Sequence, residues 1–232
     1  MGDTAAIRHS PQNYLAEAYR LAYYQDDHAF ISTSSLADAL GVSAPAVTRM
    51  IGRLKEAGYL DHEPYRGITL TPAGEQEALA NIRRHRLVEV FLVEVLHFGW
   101  HEVHDDADAL AEAVSDDLIR RIDAMTGSPR RCPHGEPIPT ADGRIARVRD
   151  VPLNAQPAGA EYAVSRVNTH DIDKLKYLAE LGLRPGTRFT LMSRAPFQGP
   201  LQLDMDGTSI LLGHELAGVL RVCAPEAFEL TA

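Results

Sequence analysis

The stretch from Ser34 to Glu75, SSLADALGVSAPAVTRMIGRLKEAGYLDHEPYRGITLTPAGE, decides the fold of what surrounds it. Leu36, Ala37 and Leu40 make a short apolar helix face, and Gly41 breaks it. Val47, Met50, Ile51 and Leu54 make the next face at spacings of three and four. Ser43 is placed to cap that second helix, Pro45 falls in its first turn and Gly58 ends it. The Tyr59-Leu60 pair, the Arg66-Gly67 turn and the alternating Ile68 and Leu70 then predict a two-stranded wing. Upstream, the apolar residues between Tyr14 and Ala22, behind Ser10 and Pro11, predict a helix over 10–24. The sum is a winged helix-turn-helix over residues 1–73.

In such a motif the N-terminal part of the second helix enters the major groove of DNA. Ser43, Pro45, Ala46, Thr48 and Arg49 fall nearest the base edges, and Arg49 can make a bidentate contact to guanine. Arg53, Tyr65 and Arg66 fall where side chains touch phosphates and fix register. The alternative is a protein-interaction module whose basic face is merely solvated. Half-sites read by a helix-turn-helix call for a twofold dimer, so the expected partners are double-stranded operator DNA and a second copy of the chain.

Residues 74–146 read as a helical region. Leu79, Ile82, Leu87, Val90, Phe91 and Val95 predict a long helix from Pro72 to about Val95, and a second helix is expected from Val103 through Ile122. Both suit a dimer interface. Within them, RRHRLVEVFLVEVLHFGWHEVHDDADALAE (83–112) sets His85 and Glu89 four apart, and His104, Asp108 and Glu112 at the same interval. Each set lies on one helix face, and imidazole and carboxylate converging from two helices suit a divalent transition metal. Two solvated polar faces would give the same spacing. Cys132-Pro133-His134 follows in a Pro- and Gly-rich loop, either a compact chelating pair or an incidental thiol in a surface turn.

Residues 147–158 read as a linker or loosely paired strand and 159–232 as a small β domain. YAVSRV, TRFTLMSRA, GPLQLDMDG, TSILLG and GVLRVCAP predict five short strands of a small barrel, with KLKYLAELGL as a helix after the first. Asp171 and Asp173, beside His170, stand at the start of that helix and read as its caps. The fold class is therefore mostly α with a small β domain.

Composition agrees with a packed interior: 45% of the 232 residues are hydrophobic and 24% charged. There is no run of 18 apolar residues and the N-terminal stretch is polar and mixed, so a cytoplasmic protein without membrane contact is expected. Two cysteines, Cys132 and Cys223, are too few for a disulfide framework and are expected as free buried thiols. The net charge of −9 argues against general polyanion binding. The acidity gathers at 101–123, where cation ligands are suspected.

VSAPAVTRMIGRLKEAGYL with YRGITLTPAG, then RRHRLVEVFL, VHDDAD with SDDLIRRI, and CPHGEPIP together resemble the DtxR/MntR family of iron- and manganese-dependent transcriptional regulators. LGLRPGTRFTL, GPLQLDMDG and HELAGVLRV resemble the SH3-like (FeoA-like) C-terminal domain of its three-domain members. The resemblance covers nearly the whole chain. It implies a divalent cation that promotes a DNA-competent dimer, repression of metal-uptake genes and a palindromic operator. It also implies one site from His85, Glu89, His104, Cys132, His134 and Asp171, and a second from Asn13 and the acidic helix. There this chain departs from its relatives: Asn13 replaces Met or Asp, Asp108 replaces Cys or Glu, Ala111 replaces Glu and Glu112 replaces His, with Glu17 one turn beyond Asn13 as a compensating oxygen donor. Lys174 stands where some relatives offer an amide, and an ammonium cannot ligate. Oxygen donors at Asp108 and Glu112 favour Mn²⁺, with Fe²⁺ and Zn²⁺ as alternatives. Two other functions fit the same residues: a metalloenzyme built on the His/Glu/Cys cluster, and a constitutive DNA-binding protein with a structural metal.

Overall fold

The computed structural model describes residues 10–23 and 30–229. The polar start 1–9, and Tyr24 at the expected end of the first helix, lie outside them. Two compact units form: Met1–Arg83 with Pro139–Arg144, and Arg84–Ile138 with Ile145–Ala232.

In the first unit, helices α1 (Pro11–Tyr23), α2 (Thr33–Leu40) and α3 (Ala44–Glu56) precede an antiparallel pair, β1 (Leu60–Glu63) and β2 (Gly67–Leu70). Leu15, Leu36, Val47, Ile51, Leu54, Leu60 and Ile68 fill its core, so the apolar stripes read from the sequence are the faces that pack. Ser32 caps α2, its side chain accepting from Ser35 N at 3.0 Å, and Gly41 closes the helix in the left-handed region at φ 62°. Ser43 occupies the N-cap position of α3 but makes no side-chain cap bond, so Pro45 in the first turn is the surviving start signal. Helix α4 (Pro72–Glu94) begins where Gly74 passes Tyr59 so closely that a Cβ would meet its carbonyl oxygen at 1.8 Å.

The second unit takes α4 from residue 84 onward, then α5 (Val103–Ala113) and α6 (Asp116–Met125). The single helix expected from Val103 through Ile122 is thus two helices. Val114 turns extended (φ −77°, ψ 139°), and Ser115 caps the new start by accepting from Leu118 N at 3.3 Å. Leu87, Val88, Val90, Val103, Ala107, Ile119 and Ile122 form the helical core.

A six-stranded antiparallel sheet follows, with β3 (Val151–Pro152), β4 (Ala160–Val167), β5 (Arg188–Arg194), β6 (Leu201–Met205), β7 (Thr208–Leu212) and β8 (Leu220–Cys223) in the order β3-β8-β4-β5-β6-β7. Five of these strands were legible as strands, and β3 lies in the stretch read as a linker or loosely paired strand. Val151 pairs with Val222 and Leu153 is fully buried, so the sheet domain begins inside 147–158. Helices α7 (Ile172–Glu180), α8 (His214–Val219) and α9 (Pro225–Glu229) complete the unit. No helix among the described residues is long and apolar enough to cross a membrane.

A buried ionic chain runs from the helices into this sheet. Arg86 on α4 reaches Glu136 at 3.2 Å, and Glu136 accepts from Arg166 on β4 at 2.8 Å. Arg166 in turn holds Asp150 at 2.6 and 3.0 Å, and Asp150 also accepts from Arg221 at 2.9 Å. The β4–β8 register shifts between Val164 and Arg166, a bulge that locally bends β4 where the arginine leaves it. Burial would raise the Asp150 carboxyl, but Arg166 and Arg221 outweigh it and hold the group below the usual carboxylate value.

Asp150→Asn removes one of the two carboxylates that pair with the buried Arg166 guanidinium, leaving Glu136, and is expected to cost about 1–3 kcal/mol in urea unfolding at neutral pH. Because the folded-state carboxyl is depressed, its contribution is complete above the ordinary carboxylate value near 3.8 and is lost as pH falls toward the folded value. The stability gap between wild type and variant should therefore close in acid; a gap independent of pH would exclude Asp150 as a charged partner.

Candidate metal centre

Three elements of the second unit converge on one carboxylate. One helical turn of α4 places Glu89 beside His85, the first turn of α5 supplies His104, and the Cys132–Glu136 turn supplies His134. Glu89 is only 3% exposed, and its Oε1 faces His85 Nε2 at 3.2 Å, His134 Nδ1 at 3.3 Å and His104 Nδ1 at 3.6 Å. The second nitrogen of each ring points to an oxygen outside the cluster. His85 Nδ1 lies 2.9 Å and His104 Nε2 3.8 Å from Asp108, while His134 Nε2 lies 2.8 Å from the Trp100 carbonyl. Metal-ligating histidines are held in this way, one nitrogen inward and the other fixed by a carboxylate or carbonyl.

The Cys132–Glu136 turn is positioned by its backbone. Gly135 N donates to Cys132 O at 2.8 Å and Cys132 N to Glu136 O at 2.9 Å, closing the turn on itself. Val167 N on β4 donates to His134 O at 2.9 Å. Gly135 has φ 89°, and a Cβ there would meet Ser165 O at 2.3 Å, so only glycine lets the turn lie against β4.

Electrostatics follow the geometry. Burial alone would raise the Glu89 carboxyl, but His85, His104 and His134 hold it well below the usual range. Burial likewise opposes protonation of His134, yet Cys132 and Glu89 together push that imidazole up to about 11. The Cys132 thiol is pushed up, first by burial and then by Glu89. The cluster thus calls for positive charge at its centre. The donor set fits a divalent transition metal: imidazole, carboxylate and thiol ligand atoms lie within 4.8 Å of one another in two groups of three, and His104 Nδ1 is buried without a well-formed hydrogen bond.

The sequence-derived residues divide accordingly. His85, Glu89, His104, Cys132 and His134 come together. Asp108, expected as a ligand of the second site, stands behind His85 and His104. Asp171 instead caps α7, accepting from Lys174 N at 3.1 Å, and Lys174 pairs with Glu215 at 2.8 Å. The side chain brought to the cluster beside it is His170, stacked on His104 with ring centroids 3.8 Å apart. Its adjacency to Asp171 was the available signal, and an offset of one residue decides which of the two faces inward. Glu112 is exposed on α5. In the first unit Asn13 Oδ1 accepts from Asn81 at 3.2 Å and Glu17 pairs with Arg20 at 3.1 Å.

The other candidate surface belongs to the first unit. Ser43, Pro45, Thr48, Arg49 and Arg53 are exposed along α3, and Ala46 is half-buried. Thr48 donates its hydroxyl to Ala44 O at 3.0 Å, leaving its methyl outward. Tyr65 is fully exposed at the wing tip with φ 67°, and Arg66 stacks over Phe30 while pairing with Glu63 at 2.7 Å.

A winged helix bearing an exposed recognition helix, joined in one chain to a buried imidazole and carboxylate cluster, defines a metal-responsive DNA-binding protein. Known families match in the same order. Residues 8–68 match the iron dependent repressor N-terminal DNA binding domain, 71–140 the iron dependent repressor metal binding and dimerisation domain, and 151–223 the FeoA domain. The iron-dependent repressor IdeR of Mycobacterium leprae is 30% identical over 199 residues, 81% of this chain and 86% of that protein. Among solved structures, a manganese-dependent transcriptional repressor in complex with manganese superposes with a TM-score of 0.84 at 38% identity, covering 93% of this chain and 100% of that one. ScaR with bound Cd²⁺ superposes at 0.75 with 30% identity, over 93% and 100%. The chain belongs to the DtxR/MntR family of metal-dependent transcriptional repressors; its relatives are repressors and not enzymes.

Trp100, the sole tryptophan, stacks on His134 with ring centroids 5.5 Å apart. Titration of Co²⁺ into the metal-free protein should therefore quench its fluorescence, and His134→Ala should remove most of the response. Full Co²⁺ uptake by calorimetry with unchanged emission would place the cation away from His134.

Proposed function

We propose that this chain is a cytoplasmic, divalent-cation-responsive repressor of metal-uptake genes that binds a palindromic operator as a homodimer, with Mn²⁺ as its cation in preference to Fe²⁺ or Zn²⁺. The observation that carries the reading is the arrangement of three imidazoles, each with one nitrogen toward Glu89 and the other turned to an outer oxygen. That arrangement favours a cation at the centre and gives it affinity without further reorganisation. The 38% identity to a protein described as manganese-dependent supports Mn²⁺, as does the oxygen donor Glu89. Leu110, Leu118 and Met125 are exposed on α5 and α6 and supply apolar surface of the kind a dimer buries.

In this account His85, Glu89, His104, Cys132 and His134 hold the cation, which supplies the positive charge that protons supply in its absence. Asp108 and the Trp100 carbonyl fix the ring orientations, and Arg49 reads a base edge. Cation and DNA then bind with reciprocal coupling: whatever factor the metal adds to operator affinity, the operator adds to metal affinity.

Mobility shifts at fixed salt with Mn²⁺, Fe²⁺, Zn²⁺ or chelator test this. Mn²⁺ should tighten operator binding about 5–150-fold, the usual span of such coupling, and Glu89→Ala should remove that gain. Arg49→Ala should weaken specific binding by about 1–3 kcal/mol while leaving the metal response intact. Equal affinity with Mn²⁺ and with chelator would make this a constitutive DNA-binding protein with a structural cluster.

A further inference from the structure

Most cations of this chain are already paired. Arg66 holds Glu63, Arg84 holds Asp116, Arg120 and Arg121 share Asp117, Arg144 holds Asp142 and Lys174 holds Glu215. Among the described residues, the exposed cations whose side chains make no hydrogen bond, ion pair or ring contact fall into two groups and two isolated positions. Arg49, Arg53 and Lys55 lie along α3, the recognition helix. Arg147 and Arg149 lie in RIARVRD (144–150), the stretch that carries the chain from one unit into the other. Arg130 and Lys176 stand singly.

The stretch is neither helix nor strand before Val151, yet it is fixed at both ends. In front of it the Thr140 hydroxyl donates to Arg144 O at 3.0 Å and accepts from Arg144 N at 3.0 Å, which closes a turn. Behind it Asp150 is buried and held by Arg166 and Arg221. Between these anchors Val148 is half-buried while Arg147 and Arg149 on either side of it are exposed, the alternation of an extended chain. Side chains two residues apart on such a chain leave the same side about 6.6 Å apart, close to the step between neighbouring phosphates along one nucleic-acid strand. A guanidinium fork also matches phosphate oxygens bidentately. With a net charge of −9 the chain as a whole repels a polyanion, so any hold on phosphates must come from local groups of free cations such as this one.

We infer that Arg147 and Arg149 form a second phosphate-binding element, which grips the DNA backbone apart from the bases that α3 reads. The inference deepens the repressor reading and rests on it. The pair supplies affinity and register without regard to sequence, and α3 supplies the choice of sequence. Because Asp150 anchors the pair within the second unit, the unit that carries the metal centre gains its own hold on DNA.

The test uses Mn²⁺-loaded full-length protein and two probes: a synthetic duplex of arbitrary sequence, and a duplex enriched from a random-sequence pool by the same protein. Affinity is measured across a salt series. The Arg147→Ala, Arg149→Ala double variant should lower the steepness of log affinity against log salt by about 2 per protomer, since each phosphate contact contributes about 0.9. The reduction should be equal on both probes, and Arg147→Lys with Arg149→Lys should restore it. Lys176→Ala, which removes an equally free charge from α7, should leave the slope unchanged. An unmoved slope in the double alanine variant, an equal reduction in Lys176→Ala, or a reduction confined to the enriched duplex overturns the inference. So does dissociation of the double alanine variant to monomers in sedimentation, which would assign the pair to the acidic surface of a second copy. If the slope is unmoved while Mn²⁺ still tightens binding, the phosphate element alone falls; if wild type binds neither probe, the repressor reading falls with it.

Discussion

A carboxylate buried to 3% exposure needs compensating positive charge, and the second unit is arranged to deliver it to Glu89. Three rings from α4, α5 and the Cys132–Glu136 turn bring nitrogens to the same oxygen. Without a cation, the imidazoles of His85 and His134 answer that charge, each pushed up against its own burial. A divalent cation held by these residues, as proposed, would do the same work and would also join the elements to one another. Metal affinity and the relative placement of α4, α5 and the turn are therefore one property of this unit.

The sheet matters because one of those elements is a turn with no regular structure of its own. Gly135 lies against β4, Val167 N holds the His134 carbonyl, and the chain Arg86, Glu136, Arg166, Asp150, Arg221 ties helix, turn and sheet by charge-assisted bonds. Breaking any member takes a charged partner from its neighbours, which makes the arrangement specific as much as stabilising. The C-terminal module thereby acts as a mount for two of the clustered side chains, Cys132 and His134.

Much of this was legible in the sequence because it rests on local spacing. His85 and Glu89 at four residues, the apolar stripes of α2 and α3, and the Arg66-Gly67 turn all depend on neighbours along the chain. What escaped depends on tertiary contacts. The break at Val114 interrupts a continuous apolar period, and only the Ser115-Asp116 cap signals it. Strand β3 is two residues long and contains a proline, so no alternation tells a linker from a loosely paired strand there. Asp108 sits at ligand spacing from His104, yet it serves the outer nitrogens, a distinction set by how α5 is rotated against α4. Arg166 looks like an ordinary strand residue until Glu136 and Asp150 are seen around it, and only the tertiary fold shows His170 stacked on His104 beside the Asp171 cap.

The central claim is that the cation sits at Glu89, among the inward nitrogens. Anomalous diffraction from crystals of the Mn²⁺-loaded protein, collected on either side of the manganese edge, tests it directly. A peak within bonding distance of Glu89 and the inward nitrogens of His85 and His104, with Asp108 still behind those rings, is the expected result. Anomalous density elsewhere, with the three rings still closed on Glu89, would contradict it.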